Sequence, residues 1–107
     1  MELDTEFNIS FTLAKTIFEN LNYDTFKKLK FTQDSLYSSS KITGSKRLLD
    51  VILKTTNNNK DITITDGTAN IGTDTIYLSK YFKNINSIEI IKESYEALKN
   101  NINILND

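Results

Sequence analysis

The sequence contains no cysteine and no histidine among its 107 residues. Thiol nucleophiles, disulfides, imidazole bases and zinc sites with Cys or His ligands are therefore excluded for this chain. No apolar run approaches the roughly 20 residues that a membrane-spanning helix needs, and the start at Met1–Asp4 lacks the basic residues of a secretory signal. We therefore expect a cytoplasmic protein that crosses no membrane and binds no metal.

A strong charge of either sign is also missing. The formal net charge is −1, with 38% hydrophobic and 25% charged residues, which is typical of one globular domain, or part of one, without a broad basic field for nucleic acid. A local basic patch is still open, because Lys27, Lys28 and Lys30 alternate with Tyr23 and Phe26. The solvated face of an amphipathic helix is the favoured interpretation, and contact with an RNA backbone is the alternative.

Residues 1–40 are predicted to form a helical extension. Asn8 or Ser10 can cap a first helix, whose apolar residues recur at four-residue spacing: Leu13, Ile17 and Leu21. A short second helical segment follows. The run Ser38–Ser40 lies in a polar segment, 33–46, and reads as a flexible linker.

Residues 41–107 are predicted to form the second part of the chain. Ser45 is the expected N-cap of a helix that ends near Thr55. Strands are then predicted at 62–65 and 86–90, each followed by a helix, at 72–82 and 92–105. The inward face of the last helix is assigned to Tyr95, Leu98, Ile102 and Leu105. Alternation of strands and helices indicates the α/β class and a parallel βαβ unit with a right-handed crossover.

The loop TDGTANIGTDT, residues 65–75, joins the first strand of this unit to its helix. Ligands of such units lie beyond the carboxyl ends of the strands, where this loop is expected. Gly72 would let the backbone approach a ligand closely. Asp66 and Glu89 end the two strands, and a carboxylate at the second position can accept hydrogen bonds from both hydroxyls of a ribose.

Three ligand classes compete for this loop. A phosphate-binding loop of the G-x-x-x-x-G-K-[ST] type matches Gly67 and Gly72, but Thr73 stands in the lysine position, which disfavours nucleotide hydrolysis. A dinucleotide fingerprint needs another glycine spacing, and Asp66 would repel a pyrophosphate. S-adenosylmethionine carries a sulfonium and an ammonium group, which an acidic loop stabilises, so the chemistry favours it.

The segment DGTANIGTDT, followed by IEI and LKNNINI, resembles motif I and the next acidic position of class I S-adenosylmethionine-dependent methyltransferases. Within that superfamily it is most similar to trimethylguanosine synthases and their viral and bacterial relatives, whose motif reads D-x-x-x-G-x-G-G-[ND]-T. Asp66 and Gly72 match this motif, as does the closing pair Asp74-Thr75. Asn70 and Thr73 replace glycines, and Asn tolerates a left-handed backbone better than most residues.

The resemblance implies a set of cofactor-binding residues: Thr43, Asp66, Gly67, Thr68, Ala69, Asn70, Gly72 and Glu89. Glu89 would hold the ribose of S-adenosyl-L-methionine, and Leu98 and Asn101 match an L-x-x-N helix. Lys41–Lys46 is similar to a V-T-P-E-[KR] segment, which would bring Thr43 to the carboxylate end of the cofactor. No catalytic residue is identified.

The resemblance also implies parts that this sequence lacks. A class I methyltransferase sheet has seven strands, and two are predicted here. With no proline, the chain cannot contain the [DN]-P-P-[FYW] segment of enzymes that methylate guanine amino groups. We therefore expect the N-terminal part of a Rossmann-like methyltransferase that is inactive by itself.

The complete enzyme would act on RNA, with the guanosine N2 of a cap as the first candidate, and a protein partner could complete the sheet. A viral origin is compatible with this family. The alternative is a non-catalytic interaction module, or a degenerate methyltransferase-like subunit, which binds a protein through helices 8–31 and an open sheet edge.

Overall fold

Six helices and two strands make up residues 8–106, the part of the chain that the computed structural model describes. In chain order they are α1 (Phe11–Ile17), α2 (Tyr23–Phe26), α3 (Ser35–Ser38), α4 (Ile42–Thr55), β1 (Thr63–Asp66), α5 (Thr73–Leu78), β2 (Asn84–Ser87) and α6 (Lys92–Leu105). This mixed architecture confirms the α/β class.

Strands β1 and β2 pair in parallel, in a register that sets Thr63 opposite Asn84 and Asp66 opposite Ser87. The predicted parallel strand–helix–strand unit is therefore confirmed. The predicted strand at 86–90 was placed too late, because β2 ends at Ser87. Beyond it, Ile88 N donates to Asp66 O at 2.8 Å, and Ile88 O accepts from Ala69 N at 2.9 Å. The next residue, Glu89, accepts a backbone N–H of the loop with its side chain.

The two faces of this sheet differ in character. Ile64 and Ile85 are half-buried and pack against the core of the helices. The alternate positions are exposed on the other face: Thr63, Thr65, Asn84 and Asn86. Such alternation is typical of a sheet with one solvated face, whereas strands covered on both faces are apolar at nearly every position. Within the described residues, each strand pairs on one edge only.

Two apolar clusters hold the helices together, and the second also holds them to the sheet. The first joins the N-terminal helices to the second half of the chain, because Ile17 and Phe31 share it with Ile71, Ile76 and Ala97. The second lies between α4, α5 and the sheet, and its buried members are Leu49, Tyr77, Leu78 and Phe82. Helix α5 contributes to both clusters. The division of the chain at residue 40 stays a prediction from the sequence.

Local hydrogen bonds decide where several helices begin. Ser10 caps α1, as predicted, because Leu13 N donates to its Oγ at 3.0 Å. The prediction for Ser45 was wrong: α4 begins three residues earlier, at Ile42, and Ser45 is buried within its second turn. The predicted flexible linker was also wrong in part, because α3 includes Ser38.

Helix α5 is shorter than the predicted range 72–82, because after Leu78 the chain continues in turns to Phe82. Helix α6 has the predicted bounds, but its inward face was placed partly wrongly. Tyr95 is 41% exposed, and the buried positions are Ser94, Ala97, Leu98 and Asn101. Small and polar residues at these positions weaken the apolar periodicity on which the prediction rested.

Candidate functional site

The loop between β1 and α5 has two residues in the left-handed region. Asn70 has φ +54°, and Gly72, which caps α5, has φ +104°. Asn70 stands where motif I of the resembling methyltransferases has a glycine. Because Asn tolerates a left-handed backbone, the loop can adopt this conformation without a glycine at this position. Ala69 precedes Asn70 and is 2% exposed, and Ile71 lies between Asn70 and Gly72 and is 0% exposed. These two buried side chains anchor the loop in the protein.

Asp66 lies at the beginning of this loop and is half-buried. Its Oδ2 accepts a hydrogen bond from Thr75 Oγ1 at 2.9 Å, and the same hydroxyl lies 2.7 Å from Ser87 Oγ. The carboxylate of Asp66 therefore joins the end of β1 to α5 and β2. Its Oδ1 lies 3.4 Å from Thr68 N, a long contact that leaves this oxygen able to accept a further hydrogen bond.

Glu89, which follows β2, is bound directly to the loop. Its Oε1 accepts from Asn70 N at 2.7 Å, and its Oε2 accepts from Ile91 N at 3.0 Å. A carboxylate oxygen has two lone pairs, so each oxygen retains one acceptor position. The structure thus brings Glu89 and Asn70 together, and Glu89 holds the left-handed residue in place.

A second segment, the end of α3 and the start of α4, is bound to the loop and to the first turn of α5. Asn70 Nδ2 donates to Ser38 Oγ at 2.6 Å. Asp74 accepts from Ser40 Oγ at 2.9 Å and from Ser45 Oγ at 2.7 Å. The sequence analysis did not predict these serine contacts with Asn70 and Asp74. Hydrogen bonds between residues 29 to 34 positions apart leave no local pattern in the sequence.

Two buried polar atoms at this junction have no hydrogen-bond partner within the described part of the chain, Asn70 Oδ1 and Ser39 Oγ. They belong to neighbouring parts of the structure, since Asn70 is bonded to Ser38. A buried acceptor without a donor costs about 1–3 kcal/mol. Both atoms are closed off from solvent, so this cost is borne by the protein itself.

The glycines of the loop have different surroundings. A Cβ at Gly67 would meet nothing within 4 Å, so there is open space beside the backbone at this residue. A Cβ at Gly72 would lie 3.1 Å from both Ile76 Cδ1 and Leu98 Cδ1. The side of Gly72 on which a Cβ would lie therefore faces the side chains of α5 and α6.

The remaining predicted residues are less closely integrated. Thr68 is exposed in the loop. Thr43 is exposed on the first turn of α4, and its hydroxyl makes no hydrogen bond with any residue from 8 to 106.

Ile90 is a further candidate that the sequence analysis missed. It adjoins Glu89 and is 94% exposed, and Ile88 and Ile91 are 55% and 51% exposed. The signal was present in the run I-E-I-I, residues 88–91, where apolar residues surround a carboxylate just beyond β2. An exposed branched side chain beside Glu89 offers an apolar surface to a flat ring.

The described residues were also searched for metal-binding groups, membrane-spanning helices and surface cavities. No group of three or more His, Cys, Asp or Glu side chains between residues 8 and 106 could hold a metal ion. In the same range, no helix has the length and apolar character needed to cross a membrane. Three surface cavities formed by residues between 8 and 106 are lined by other segments and by none of the loop residues 66–72.

Comparison of the chain with models of protein families, with curated proteins and with solved structures finds no match.

Proposed function

We propose that the loop 66–72 binds S-adenosyl-L-methionine and that the chain provides the cofactor-binding part of a Rossmann-like methyltransferase. The observation that carries this proposal is the bond between Glu89 and Asn70, 2.7 Å long. It joins the carboxylate after the second strand to the left-handed loop after the first strand. In parallel α/β folds these two positions face the same nucleoside-binding crevice.

The residues around the loop fit the polar groups of this cofactor. Asp66 Oδ1 would accept a hydrogen bond from the ammonium group, because its only contact within residues 8–106 is the long one to Thr68 N. Asp66 supplies negative charge beside the same loop. Glu89 keeps acceptor positions for the two ribose hydroxyls, and Ile90 offers its exposed side chain to the adenine ring.

When bound, S-adenosylmethionine supplies an electrophilic methyl group. The contribution of this chain is to bind and orient the cofactor, and the open space at Gly67 leaves room for it beside the backbone. We propose RNA as the methyl acceptor, with the guanosine N2 of a cap as the first substrate to test, on the basis of the sequence resemblance. Methyl transfer also needs further strands, which would pair with the free edges of β1 and β2.

Titration calorimetry with S-adenosylhomocysteine tests the cofactor site. We expect saturation at one site. Glu89→Ala should weaken the affinity by about 1.5–3 kcal/mol, the usual contribution of a hydrogen bond to a charged group. Glu96→Ala is the matched control, because Glu96 is exposed on α6 and its carboxylate lies beside Lys99; it should leave the affinity unchanged.

Urea unfolding of each variant separates a binding defect from a folding defect, since Glu89 also bonds to the backbone. Absence of heat with folded wild-type protein would refute the proposal. Stabilisation by a nucleoside triphosphate with magnesium, without stabilisation by S-adenosylmethionine, would instead support a nucleotide-phosphate enzyme.

A second candidate function is that of a non-catalytic interaction module that binds a protein partner. Each strand has one edge that no strand within residues 8–106 pairs with, and this favours it, because unpaired backbone groups on an edge can pair with another strand. So do the exposed side chains of Ile88, Ile90 and Ile91. This alternative predicts no heat with S-adenosylhomocysteine and a stable complex with the partner in size-exclusion chromatography.

A further inference from the structure

A cavity of about 630 Å³ lies between α2, the segment after it and the start of α6. Its lining includes three exposed lysines, Lys27, Lys28 and Lys30. Glu93 and Glu96 line the same cavity, yet within residues 8–106 none of the three lysines forms an ion pair. This lysine wall can therefore pair with an anionic group that comes from outside the described residues.

The lysine wall is held in place by α6. Asn100 Nδ2 donates to Lys28 O at 2.9 Å, and Asn101 exchanges two hydrogen bonds with the backbone of Lys30, at 2.8 and 2.9 Å. The backbone that carries the lysines is thus fixed before any ligand binds, so less ordering is needed when one does.

Apolar side chains form another part of the lining. Phe26 is half-buried, and its ring lies 5.8 Å from that of Tyr23 and 6.0 Å from that of the buried Phe31. Lys27 Nζ lies over the Tyr23 ring, 5.5 Å from its centroid, so the accessible apolar surface is that of Phe26 and of the half-buried Ile9. A matching ligand combines apolar groups with negative charge.

The chain itself leads to this cavity from its N-terminal side. Asn8 and Ile9 line the cavity and precede α1 directly. Ser10, the N-cap of α1, has the extended dihedral angles φ −69° and ψ 150°. Residues 1–7 therefore begin at the edge of the cavity, and an extended chain of that length reaches about 23 Å.

The sequence of residues 1–7, MELDTEF, has the same two characters as the cavity lining. All of its charged side chains are acidic, and they stand at every second position: Glu2, Asp4 and Glu6. Three of the four residues between and beside them are apolar: Met1, Leu3 and Phe7. In an extended chain, an alternation with period two separates the two kinds of side chain onto opposite sides.

We propose that residues 1–7 bind in this cavity as an extended strap. The carboxylates of the strap pair with the lysine wall, and Leu3 and Phe7 pack against Phe26 and Ile9. Glu93 and Glu96 repel the acidic side of the strap and so determine which way it faces. Attachment to α1 keeps the strap at a high effective concentration beside its site, and any other molecule that uses the cavity has to displace it. The proposal does not rest on the cofactor site, because loop residues 66–72 do not line this cavity.

Nuclear Overhauser effects in the isotope-labelled full chain test the proposal. We expect cross-peaks from the methyl protons of Leu3 to the ring protons of Phe26, which arise only between groups in close contact. They should be lost in Glu2→Gln/Asp4→Asn/Glu6→Gln, because the strap then carries no charge that the lysines attract. The matched control Asp34→Asn/Asp50→Asn/Asp61→Asn neutralises three exposed carboxylates elsewhere and should retain them.

Variants of the lysine wall test the other side of the contact. Lys27→Gln/Lys28→Gln/Lys30→Gln should also lose the cross-peaks, whereas Lys46→Gln/Lys54→Gln/Lys60→Gln, which changes exposed lysines of α4 and the following turns, should retain them. Circular dichroism verifies that each variant is folded. Cross-peaks that persist without the three lysines of the wall would overturn the proposed pairing.

Charge reversal distinguishes direct pairing from a general effect of net charge. Lys27→Glu/Lys30→Glu should abolish the cross-peaks, and adding Glu2→Lys/Asp4→Lys to the same chain should restore them. Failure of the doubly reversed, folded protein to restore them would overturn the assignment of the strap to this wall.

A mixture of ¹³C-labelled and unlabelled chains identifies the occupant. We expect the cross-peaks within one chain only. Cross-peaks between labelled and unlabelled chains would overturn the strap in favour of an exchange of this segment between two copies. Absence of any cross-peak from Leu3 to the cavity lining in folded wild-type protein would overturn the proposal outright.

Discussion

Asn101 on α6 donates a hydrogen bond to the backbone oxygen of Ile71, at 3.0 Å. Ile71 lies between the two left-handed residues of the loop. The same side chain bonds to both backbone groups of Lys30 and is 0% exposed. One carboxamide therefore joins the helix, the loop and the N-terminal part of the chain.

We expect Asn101→Ala to lower the free energy of unfolding by about 2–4 kcal/mol, because it removes four hydrogen bonds, three of them to backbone groups that are then left without these partners. Urea unfolding followed by circular dichroism measures this change. The matched control is Asn103→Ala, since Asn103 is exposed on the same helix; it should change the stability by less than about 0.5 kcal/mol. Similar values for both variants would show that the Asn101 contacts contribute little.

Substitution by alanine should lower the stability of the protein at Gly72 but not at Gly67. Gly72→Ala forces a side chain onto a backbone with φ +104° and against Ile76 and Leu98, so we expect a loss of about 1–3 kcal/mol of stability. Gly67→Ala fills open space and should leave stability within about 0.5 kcal/mol. If the loop binds S-adenosylhomocysteine, Gly67→Ala should weaken that affinity. Unfolding and calorimetry on both variants test the two effects, and equal stability losses would contradict the assignment.

Asp74 and Ser45 should be energetically coupled. Their hydrogen bond is 2.7 Å long and joins α5 to α4. In a double-mutant cycle with Asp74→Ala and Ser45→Ala we expect a coupling of about 1–2 kcal/mol in unfolding free energy. Asp74→Ala combined with Ser10→Ala, which removes the distant cap of α1, should be additive within about 0.5 kcal/mol. Additivity in both cycles would mean that solvent replaces the contact without cost.

Tyr77 should make the stability depend on alkaline pH. Burial raises the pKa of Tyr77 to about 12, and Tyr81, Glu19 and Asp50 act in the same direction. In the unfolded chain the phenol loses its proton near pH 10, so the unfolded state binds fewer protons between pH 10 and 12. The stabilisation due to this group is complete below pH 10 and is lost as the pH rises toward 12.

The measurement compares wild type with Tyr77→Phe by urea unfolding from pH 9 to 12. The stability of wild type relative to Tyr77→Phe should fall across this range, while titrating lysines affect both proteins equally. Tyr37→Phe serves as the control, because Tyr37 is 85% exposed and its removal should leave the pH profile parallel to that of wild type. A parallel profile for Tyr77→Phe would contradict the raised pKa.

Local patterns in the sequence were sufficient for the elements that depend on near neighbours. Ser10 caps α1 through a residue three positions away, and the apolar periodicity of residues 92–105 gave the bounds of α6. The strand–helix–strand order was likewise predicted because period and turn residues change together along that part of the chain.

Elements that depend on distant contacts were not predicted. Ser45 resembles an N-cap in sequence, but the carboxylate of Asp74, 29 positions away, occupies its hydroxyl. The serine run 38–40 resembles a linker, yet Ser38 and Ser40 are held by Asn70 and Asp74. At the loop, the sequence indicated both Asp66 and Glu89, and only the structure shows that Glu89 is bonded to Asn70.

The polar outer face of the two-stranded sheet sets a condition on whatever touches it. Thr63, Thr65, Asn84 and Asn86 present hydroxyl and amide groups, which lose hydrogen bonds to water if an apolar helix covers them. A helix or strand that docks there must replace the lost hydrogen bonds of these side chains, either with its own polar side chains or through bridging water. Contact across this face is consequently decided by matching donors with acceptors, and little by hydrophobic area.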